Sequence, residues 1–124
     1  MTYQGEANTQ SMRDVFERYY IGWETKNPDL IASLHSEDTV FQLHDGTPPV
    51  QGRDALRARC AEMFKQFDFA FEMGRFFHGT DHWVFEWTMV LRLTDSAGVP
   101  FTAPVEMLDL VTIDADHLVT HKDV

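Results

Sequence analysis

The sequence is poor in cysteine and in basic residues. Cys60 is its one thiol, which excludes an intramolecular disulfide and any CxxC metal or redox motif. A free thiol agrees with a reducing compartment. Ten Lys and Arg stand against twenty Asp and Glu, giving a formal net charge of −10 that repels nucleic acid and anionic membranes. We therefore expect neither of these partners and favour a neutral or weakly polar ligand.

Long hydrophobic runs and metal-binding motifs are also missing. No apolar run approaches the roughly 20 residues of a membrane-spanning helix, and residues 1–10 lack the charged and apolar regions of a signal peptide. We therefore expect a cytoplasmic protein. The histidines show no HExxH or related spacing, so we expect no metal and no cofactor, and we expect most of them on the surface or in loops. They are His35, His44, His78, His82, His117 and His121.

Large aromatic residues are abundant instead. The chain has ten Phe, three Tyr and three Trp within a hydrophobic content of 44%. A chain of 124 residues forms one core, and these rings exceed what filling it requires, so we expect some of them to line a cavity. We predict a polar N-terminal segment, 1–10, followed by a single domain, 11–124.

Helical periodicity predicts three helices in the first half of the chain. Ser11 and Asp14 resemble a capping box before a helix over about 12–25. Asn27 and Pro28 are typical of the start of a short second helix that ends near His35. A third helix follows Gly52. The apolar face of the first helix comprises Met12, Val15, Phe16, Tyr19, Tyr20 and Trp23, and that of the third comprises Leu56, Cys60, Met63, Phe64 and Phe67.

Strand-forming residues dominate the second half. The predicted strands are 39–43, 69–77, 82–94, 101–113 and 118–124. The last four are joined by short turns, which force neighbouring strands to be antiparallel. Helices followed by meandering strands are typical of the α+β class. We predict a cone-shaped, curved antiparallel sheet wrapped around three N-terminal helices and enclosing a pocket.

Alternation along two of these strands separates a pocket-facing side from an outer side. The pocket-facing side carries Trp83, Phe85, Trp87, Met89, Met107, Asp109 and Val111. The outer side carries Val84, Val90, Leu108 and Leu110, together with Glu106, for which we expect a surface or interface position and pairing with Arg92. Apolar residues on the outer side need a second cover, so we predict a homodimer formed through the sheet.

Several short motifs together resemble the nuclear transport factor 2 superfamily, in particular its ketosteroid isomerases and SnoaL-like polyketide cyclases. The resemblance covers about 12–124. The motifs are Arg18-Tyr19, Asn27-Pro28-Asp29, Ser36-Glu37-Asp38-Thr39-Val40, Gln51-Gly52-Arg53-Asp54-Ala55 and Leu108-Asp109-Leu110. Their order implies the superfamily fold, which hosts enzymes, binding proteins and association domains.

The resemblance also implies roles for individual residues. In ketosteroid isomerases a helix tyrosine and a protonated sheet aspartate form the oxyanion hole, and these positions match Tyr19 and Asp109. The aspartate that moves the proton falls at Gln42, which cannot act as a base. Asp123, in His121-Lys122-Asp123, is similar to an acid on the last strand of SnoaL-like cyclases and limonene-type epoxide hydrolases, and it is the remaining candidate base.

The residues themselves support a small-ligand site. Asp109 lies between Met107 and Val111 on its own face, so desolvation disfavours its charged form and we expect it to be protonated near neutral pH. We expect catalytic roles for Tyr19, Asp109 and Asp123. The expected ligand contacts are Trp23, Gln42, Phe85, Trp87, Met89 and Met107.

Two kinds of function fit this pattern. One is an isomerase or cyclase that binds a small apolar carbonyl compound, polyketide-like or steroid-like, and moves a proton next to the carbonyl. The other is a ligand-binding or dimerising accessory protein without catalysis, which Gln42 at the base position favours.

Overall fold

The computed structural model describes the backbone of residues 3–124 and the side chains of residues 12–124. In this part of the chain three helices and six strands follow one another in an α+β order. The order agrees with the prediction, whereas the short strand Val50–Gln51 was not predicted. The elements are α1 (Tyr3–Glu24), α2 (Pro28–Ser33), β1 (His35–Gln42), β2 (Val50–Gln51), α3 (Arg53–Gln66), β3 (Phe69–His78), β4 (His82–Thr94), β5 (Pro100–Ile113) and β6 (Val119–Asp123).

Helix α1 buries the apolar face that its periodicity predicts. Each described member of that face is less than a tenth exposed: Met12, Val15, Phe16, Tyr19, Tyr20 and Trp23. The helix begins at Tyr3, well before the predicted start, so Ser11 lies within it and does not cap it. The Ser11 side chain lies outside the described residues, and the domain boundary near residue 10 stays a prediction. Among the described helices, none is long and apolar enough to cross a membrane.

The strands form one mixed sheet in the order β2-β1-β6-β5-β4-β3. The pairs β3–β4, β4–β5 and β5–β6 are antiparallel, as their short connections predict. Strand β1, however, lies parallel to β6. The expectation of a wholly antiparallel sheet is therefore wrong. A turn length constrains only strands that follow each other in the chain, and a long connection separates β1 from β6.

Helix α2 packs against α1, α3 and β1, and α3 packs against α2, β1 and β2. The Asn27 side chain accepts a hydrogen bond from the Leu30 N–H at 3.1 Å, which caps α2 as predicted. Gly22 allows α2 to approach α1 closely, since a Cβ at this position would lie 2.9 Å from Ile31 Cγ1. Ile31 in α2 and Leu56 in α3 are fully buried. This packing fixes α1 over one face of the sheet.

We call the face that packs against the helices the inner face and the opposite one the outer face. Trp83, Phe85 and Val111 are buried on the inner face. On the outer face Leu108 is 56% exposed and Leu110 is 45% exposed. The polar pairing on this face differs from the prediction. Arg92 binds Asp68 with Nη1 and Oδ1 2.6 Å apart, and Glu106 is not its partner.

A β-bulge shapes strand β3. Two of its residues, Gly74 and Arg75, lie opposite the single residue Glu86 of β4. A Cβ on Gly74 would lie 2.6 Å from the Glu86 carbonyl oxygen, so the close approach of the two backbones requires glycine. Arg75 then binds the Glu86 carboxylate through two guanidinium nitrogens. Bulges of this kind bend a strand and increase its twist.

Candidate functional site

A cavity of about 190 Å³ lies between the helices and the inner face. Its wall is almost entirely apolar and largely aromatic. The inner-face residues predicted as ligand contacts, Phe85, Trp87, Met89 and Met107, all line it, and so does Trp23 from α1. The remaining lining residues are Phe16, Tyr19, Tyr20, Phe41, Leu43, Met63, Phe67, Phe69, Phe71, Trp83, Leu91, Asp109, Lys122 and Val124.

The charged groups of this wall are Asp109 from β5 and Lys122 from β6. Both side chains are at most 7% exposed, and Lys122 Nζ lies 3.4 Å from Asp109 Oδ2. The indole N–H of Trp87 donates a hydrogen bond to Asp109 Oδ1 at 2.9 Å. Both oxygens of the Asp109 carboxyl group therefore face a donor. The expectation that Asp109 is protonated near neutral pH was made without this ammonium group, and it stays a prediction.

Aromatic rings surround the ammonium group of Lys122. Its Nζ lies 4.0 Å from the ring centre of Trp23, 5.0 Å from that of Tyr19 and 5.9 Å from that of Phe41. Ring faces attract a cation, and more strongly where water is excluded. Burial alone would lower the pKa of Lys122, but the Asp109 carboxylate and the Tyr19 hydroxyl hold it above its ordinary value. Lys122 is therefore a stable buried cation in the cavity wall.

The Tyr19 hydroxyl joins this charge pair to a second buried chain of polar groups. Lys122 Nζ donates to the Tyr19 oxygen at 3.4 Å, and that oxygen lies 2.8 Å from His35 Nε2. His35 Nδ1 lies 2.8 Å from Thr39 Oγ1. Two guanidinium nitrogens of Arg53 donate to the His35 carbonyl oxygen at 3.1 and 2.8 Å and fix the start of β1.

Burial determines the protonation of this chain. It lowers the pKa of His35 to about 3, with Lys122 and Arg53 adding to the effect, so the ring is neutral. It also raises the pKa of Tyr19, which keeps the hydroxyl proton. A neutral imidazole donates at one nitrogen and accepts at the other, so the proton order along Tyr19, His35 and Thr39 follows the His35 tautomer. His35 is thus an exception to the expectation that most of the histidines lie on the surface or in loops.

A second β-bulge explains why Lys122, and not Asp123, faces the cavity. Thr112 pairs with His121 and Ile113 with Val119, which leaves Thr120 as an extra residue in β6. The extra residue shifts the side-chain alternation by one position. Regular alternation from the buried Val119 would have turned Asp123 inward.

The shifted register also decides the positions of two predicted site residues. Gln42 pairs with Asp123, and Asp123 pairs with the exposed Leu110, so all three belong to the outer face. The Asp123 carboxylate binds His44 Nε2 at 2.9 Å and His121 Nε2 at 3.2 Å. The placement of Gln42 and Asp123 in the pocket is thus corrected. Among the described side chains, no group of three or more His, Cys, Asp or Glu is arranged to hold a metal ion.

Sequence comparison identifies the family. The family model of the SnoaL-like domain matches residues 16–121, which is most of the chain. No curated protein matches the sequence.

Solved structures share the fold at low sequence identity. A protein with a ketosteroid isomerase-like fold from Catenulispora acidiphila DSM 44928 aligns with a TM-score of 0.72 and 17% identity, over 88% of this chain and 82% of that one. The epoxide hydrolase/cyclase-like enzyme SalBIII aligns with a TM-score of 0.76 and 14% identity, over 93% and 89% of the two chains. An NTF2-like protein of unknown function from Burkholderia xenovorans LB400 aligns with a TM-score of 0.72 and 14% identity, over 94% and 82%.

These structures confirm the resemblance that the sequence motifs indicated, and at such identities they establish the fold. The match of residues 16–121 establishes more than the fold. The chain belongs to the SnoaL-like domain family.

Proposed function

We propose that this domain binds a small apolar carbonyl compound in the cavity, with the carbonyl oxygen at the end formed by Tyr19, Asp109 and Lys122. The observation that carries the proposal is an aromatic wall with charge at one place only among the described lining residues. Apolar pockets with a few polar groups at one end are typical of small-molecule sites. The apolar wall binds the rings of the ligand, and the polar end orients its oxygen.

The cavity volume restricts the size of the ligand. A cavity of about 150 Å³ holds one benzene ring, and this one measures about 190 Å³. The volume therefore favours a polyketide-like compound of one or two rings over a four-ring steroid. The Catenulispora protein was crystallised in complex with trimethylamine, and SalBIII has a role in pyran ring formation in salinomycin. These neighbours support a small-ligand site in this fold.

We further propose that bound ligand undergoes isomerisation or cyclisation through proton transfer next to the carbonyl. Of the titratable groups that line the cavity, we assign this step to Asp109 and Tyr19. Asp123 is left out of the proposed chemistry because its carboxylate is held by His44 and His121 on the outer face. The second candidate is binding without turnover. Gln42, which the resemblance aligns with a base, cannot act as one and lies on the outer face.

Calorimetric titration with 2-tetralone, an apolar bicyclic ketone, tests binding. Met107→Trp fills the cavity with a larger side chain and should abolish binding. Met73→Trp makes the same change on a residue that is 57% exposed, and it should bind like the wild type. Equal binding by both variants would contradict the cavity as the site.

Deuterium exchange separates catalysis from binding. In D₂O the protons next to the ketone of 2-tetralone exchange through the enol, and mass spectrometry follows the exchange. A catalyst accelerates this exchange above the rate in buffer, and Asp109→Asn removes the acceleration. Binding without acceleration would favour the non-catalytic alternative.

We also propose that two copies of the chain associate through the outer face. Phe77, Val84 and Leu110 lie side by side across three strands, and Leu108 is 56% exposed beside them. Val90 lies on the same face of β4, separated from Val84 by Glu86 and Thr88. Light scattering at micromolar concentration should give the mass of a dimer. Leu108→Lys should give a monomer because it introduces an unpaired charge into the contact, whereas Val99→Lys, in a loop, should stay dimeric.

A further inference from the structure

We infer that Lys122 recognises the ligand as an oxyanion and that Asp109 accepts the proton which the ligand loses. The ligand class is then an acidic enol or phenol, or a ketone bound as its enolate. This inference rests on the proposed function and assigns Asp109 the role of base. It assigns ligand recognition to Lys122, which neither the sequence motifs nor the family match identifies as a site residue.

The first argument is a surplus of hydrogen-bond donors at the polar end of the cavity. Lys122 Nζ lies 3.4 Å from both Asp109 and Tyr19, longer than the usual 2.7–2.9 Å of charge-assisted hydrogen bonds. The indole N–H of Trp23 is buried and forms no hydrogen bond of good geometry within the described residues, although its contact with the Tyr19 hydroxyl offsets part of the rise in the Tyr19 pKa. A buried donor without a partner is costly. An oxyanion beside Lys122 and Trp23 would satisfy both groups.

The second argument is the arrangement of hydrogen-bond donors around the Asp109 carboxyl group. Its Oδ1 accepts the Trp87 N–H at 2.9 Å, while Oδ2 faces the ammonium of Lys122 at the longer distance. A carboxylate held in this way cannot donate a hydrogen bond to a ligand oxygen, but Oδ2 can accept a proton. The geometry therefore supports Asp109 as an acceptor.

The charges balance in the resulting step. The O–H bond of an enol or phenol, or the C–H bond next to a ketone, breaks, and its proton forms an O–H bond with Asp109 Oδ2. The electron pair stays on the ligand and places negative charge on its oxygen. Lys122 remains an ammonium group and exchanges one anionic partner, Asp109, for another. The cavity holds one positive and one negative charge before and after the step.

The surroundings favour this exchange. The rings of Tyr19, Trp23 and Phe41 lie around the ammonium and exclude water, which strengthens its attraction to an anion. The other titratable groups near Lys122 are neutral. His35 is neutral because burial lowers its pKa to about 3, and burial raises the pKa of Cys60 to about 11. No other anion competes for Lys122 among these groups.

The experiment uses 4-nitrophenol, whose ionised form has its own visible absorbance band, at a pH where the free phenol is mostly neutral. We expect the wild type to bind it and to increase the phenolate band. Lys122→Met should weaken this binding about 10- to 100-fold, the range expected for a lost charged hydrogen bond. Asp109→Asn should still bind the probe as phenolate, because Lys122 keeps its charge and loses its carboxylate partner. The proton of the phenol should then pass to the buffer, whereas the wild type should retain it on Asp109. Calorimetry in buffers of different ionisation enthalpy measures this release, and equal release by both proteins would contradict Asp109 as the proton acceptor. Lys65→Met and Asp54→Asn make the same changes at exposed positions and should behave like the wild type.

The outcomes separate the inference from the proposed function. If 2-tetralone binds but bound 4-nitrophenol stays neutral, the oxyanion inference is wrong and the ligand-binding proposal stands. If neither probe binds the wild type, both are wrong. Circular dichroism establishes that Lys122→Met is folded. If Lys122→Met is unfolded, Lys122→Arg takes its place as the test, because it keeps the charge and should keep the phenolate band. Loss of the band in folded Lys122→Arg would contradict recognition by charge.

Discussion

The buried imidazole of His35 makes the stability of this domain depend on pH. Burial lowers the pKa of His35 to about 3 in the folded state, whereas an unfolded histidine titrates near 6.5. Below pH 6.5 the unfolded chain therefore binds a proton that the folded chain does not bind, so stability falls as the pH falls. At pH 5 the pH lies about 1.5 units below the pKa of the unfolded histidine, which corresponds to a loss of about 2 kcal/mol in the free energy of unfolding. The free energy of unfolding of a domain is typically about 5–15 kcal/mol, so this loss is a substantial part of it.

Urea denaturation at pH 7 and at pH 5 measures this effect. Carboxylates also titrate in this range, so the informative quantity is the difference between the wild type and His35→Gln, which keeps a polar side chain that does not titrate. We expect the wild type to lose about 2 kcal/mol more than the variant between the two pH values. His82→Gln, which removes an exposed imidazole, is the control for losing a histidine. Equal losses in the wild type and His35→Gln would mean that the folded domain accommodates a charged His35, which would refute the reasoning.

Three further predictions follow from the packing. Gly74→Ala should destabilise the domain by about 1–3 kcal/mol in urea, since its Cβ would meet the Glu86 carbonyl oxygen at 2.6 Å; equal stability would mean that the bulge relaxes. The Cys60 thiol is fully buried and its pKa is raised to about 11, so a disulfide reagent should label it at the rate of unfolding. Rapid labelling of the folded domain would contradict its burial. Phe16→Ala should lower the free energy of unfolding by about 3–5 kcal/mol, because Phe16 packs against four other rings. Val99→Ala, at a residue that is 54% exposed, should change little.

Periodicity in the sequence was sufficient to predict most elements and their buried faces. The predicted strand His82–Thr94 has the same bounds as β4. Six apolar residues at helical spacing defined the buried face of α1, and the alternation from Trp83 to Met89 selected residues that line the cavity. These predictions succeeded because each depends on neighbouring residues of one element. The start of α1 was not predictable in this way, since the polar residues before Met12 carry no apolar pattern.

The polar part of the site was only partly predictable. Tyr19 and Asp109 were found through the motifs, but Lys122 and His35 were not. Lys122 lies between His121 and Asp123, and a lysine in such a polar stretch normally lies in solvent. Its burial depends on Asp109, on rings from α1 and β1, and on the extra residue Thr120. A bulge of one residue reverses which side chains face inward, and the sequence of β6 shows no glycine or other signal of it.

The parallel pair of β1 and β6 also has a consequence for the order of folding. Strands β3, β4 and β5 form two consecutive hairpins. Their contacts join residues that are near each other in the sequence, and such contacts form quickly. The contacts of β6 with β1 and α1 are remote, and the hydrogen bond from Lys122 to Tyr19 joins residues 103 positions apart. Closing so long a loop costs conformational entropy before any contact compensates it. During synthesis on a ribosome the hairpins can therefore form first. Strand β1 can pair with β6 only after β6 has emerged. The polar end of the cavity is then assembled last, together with the centre of the sheet.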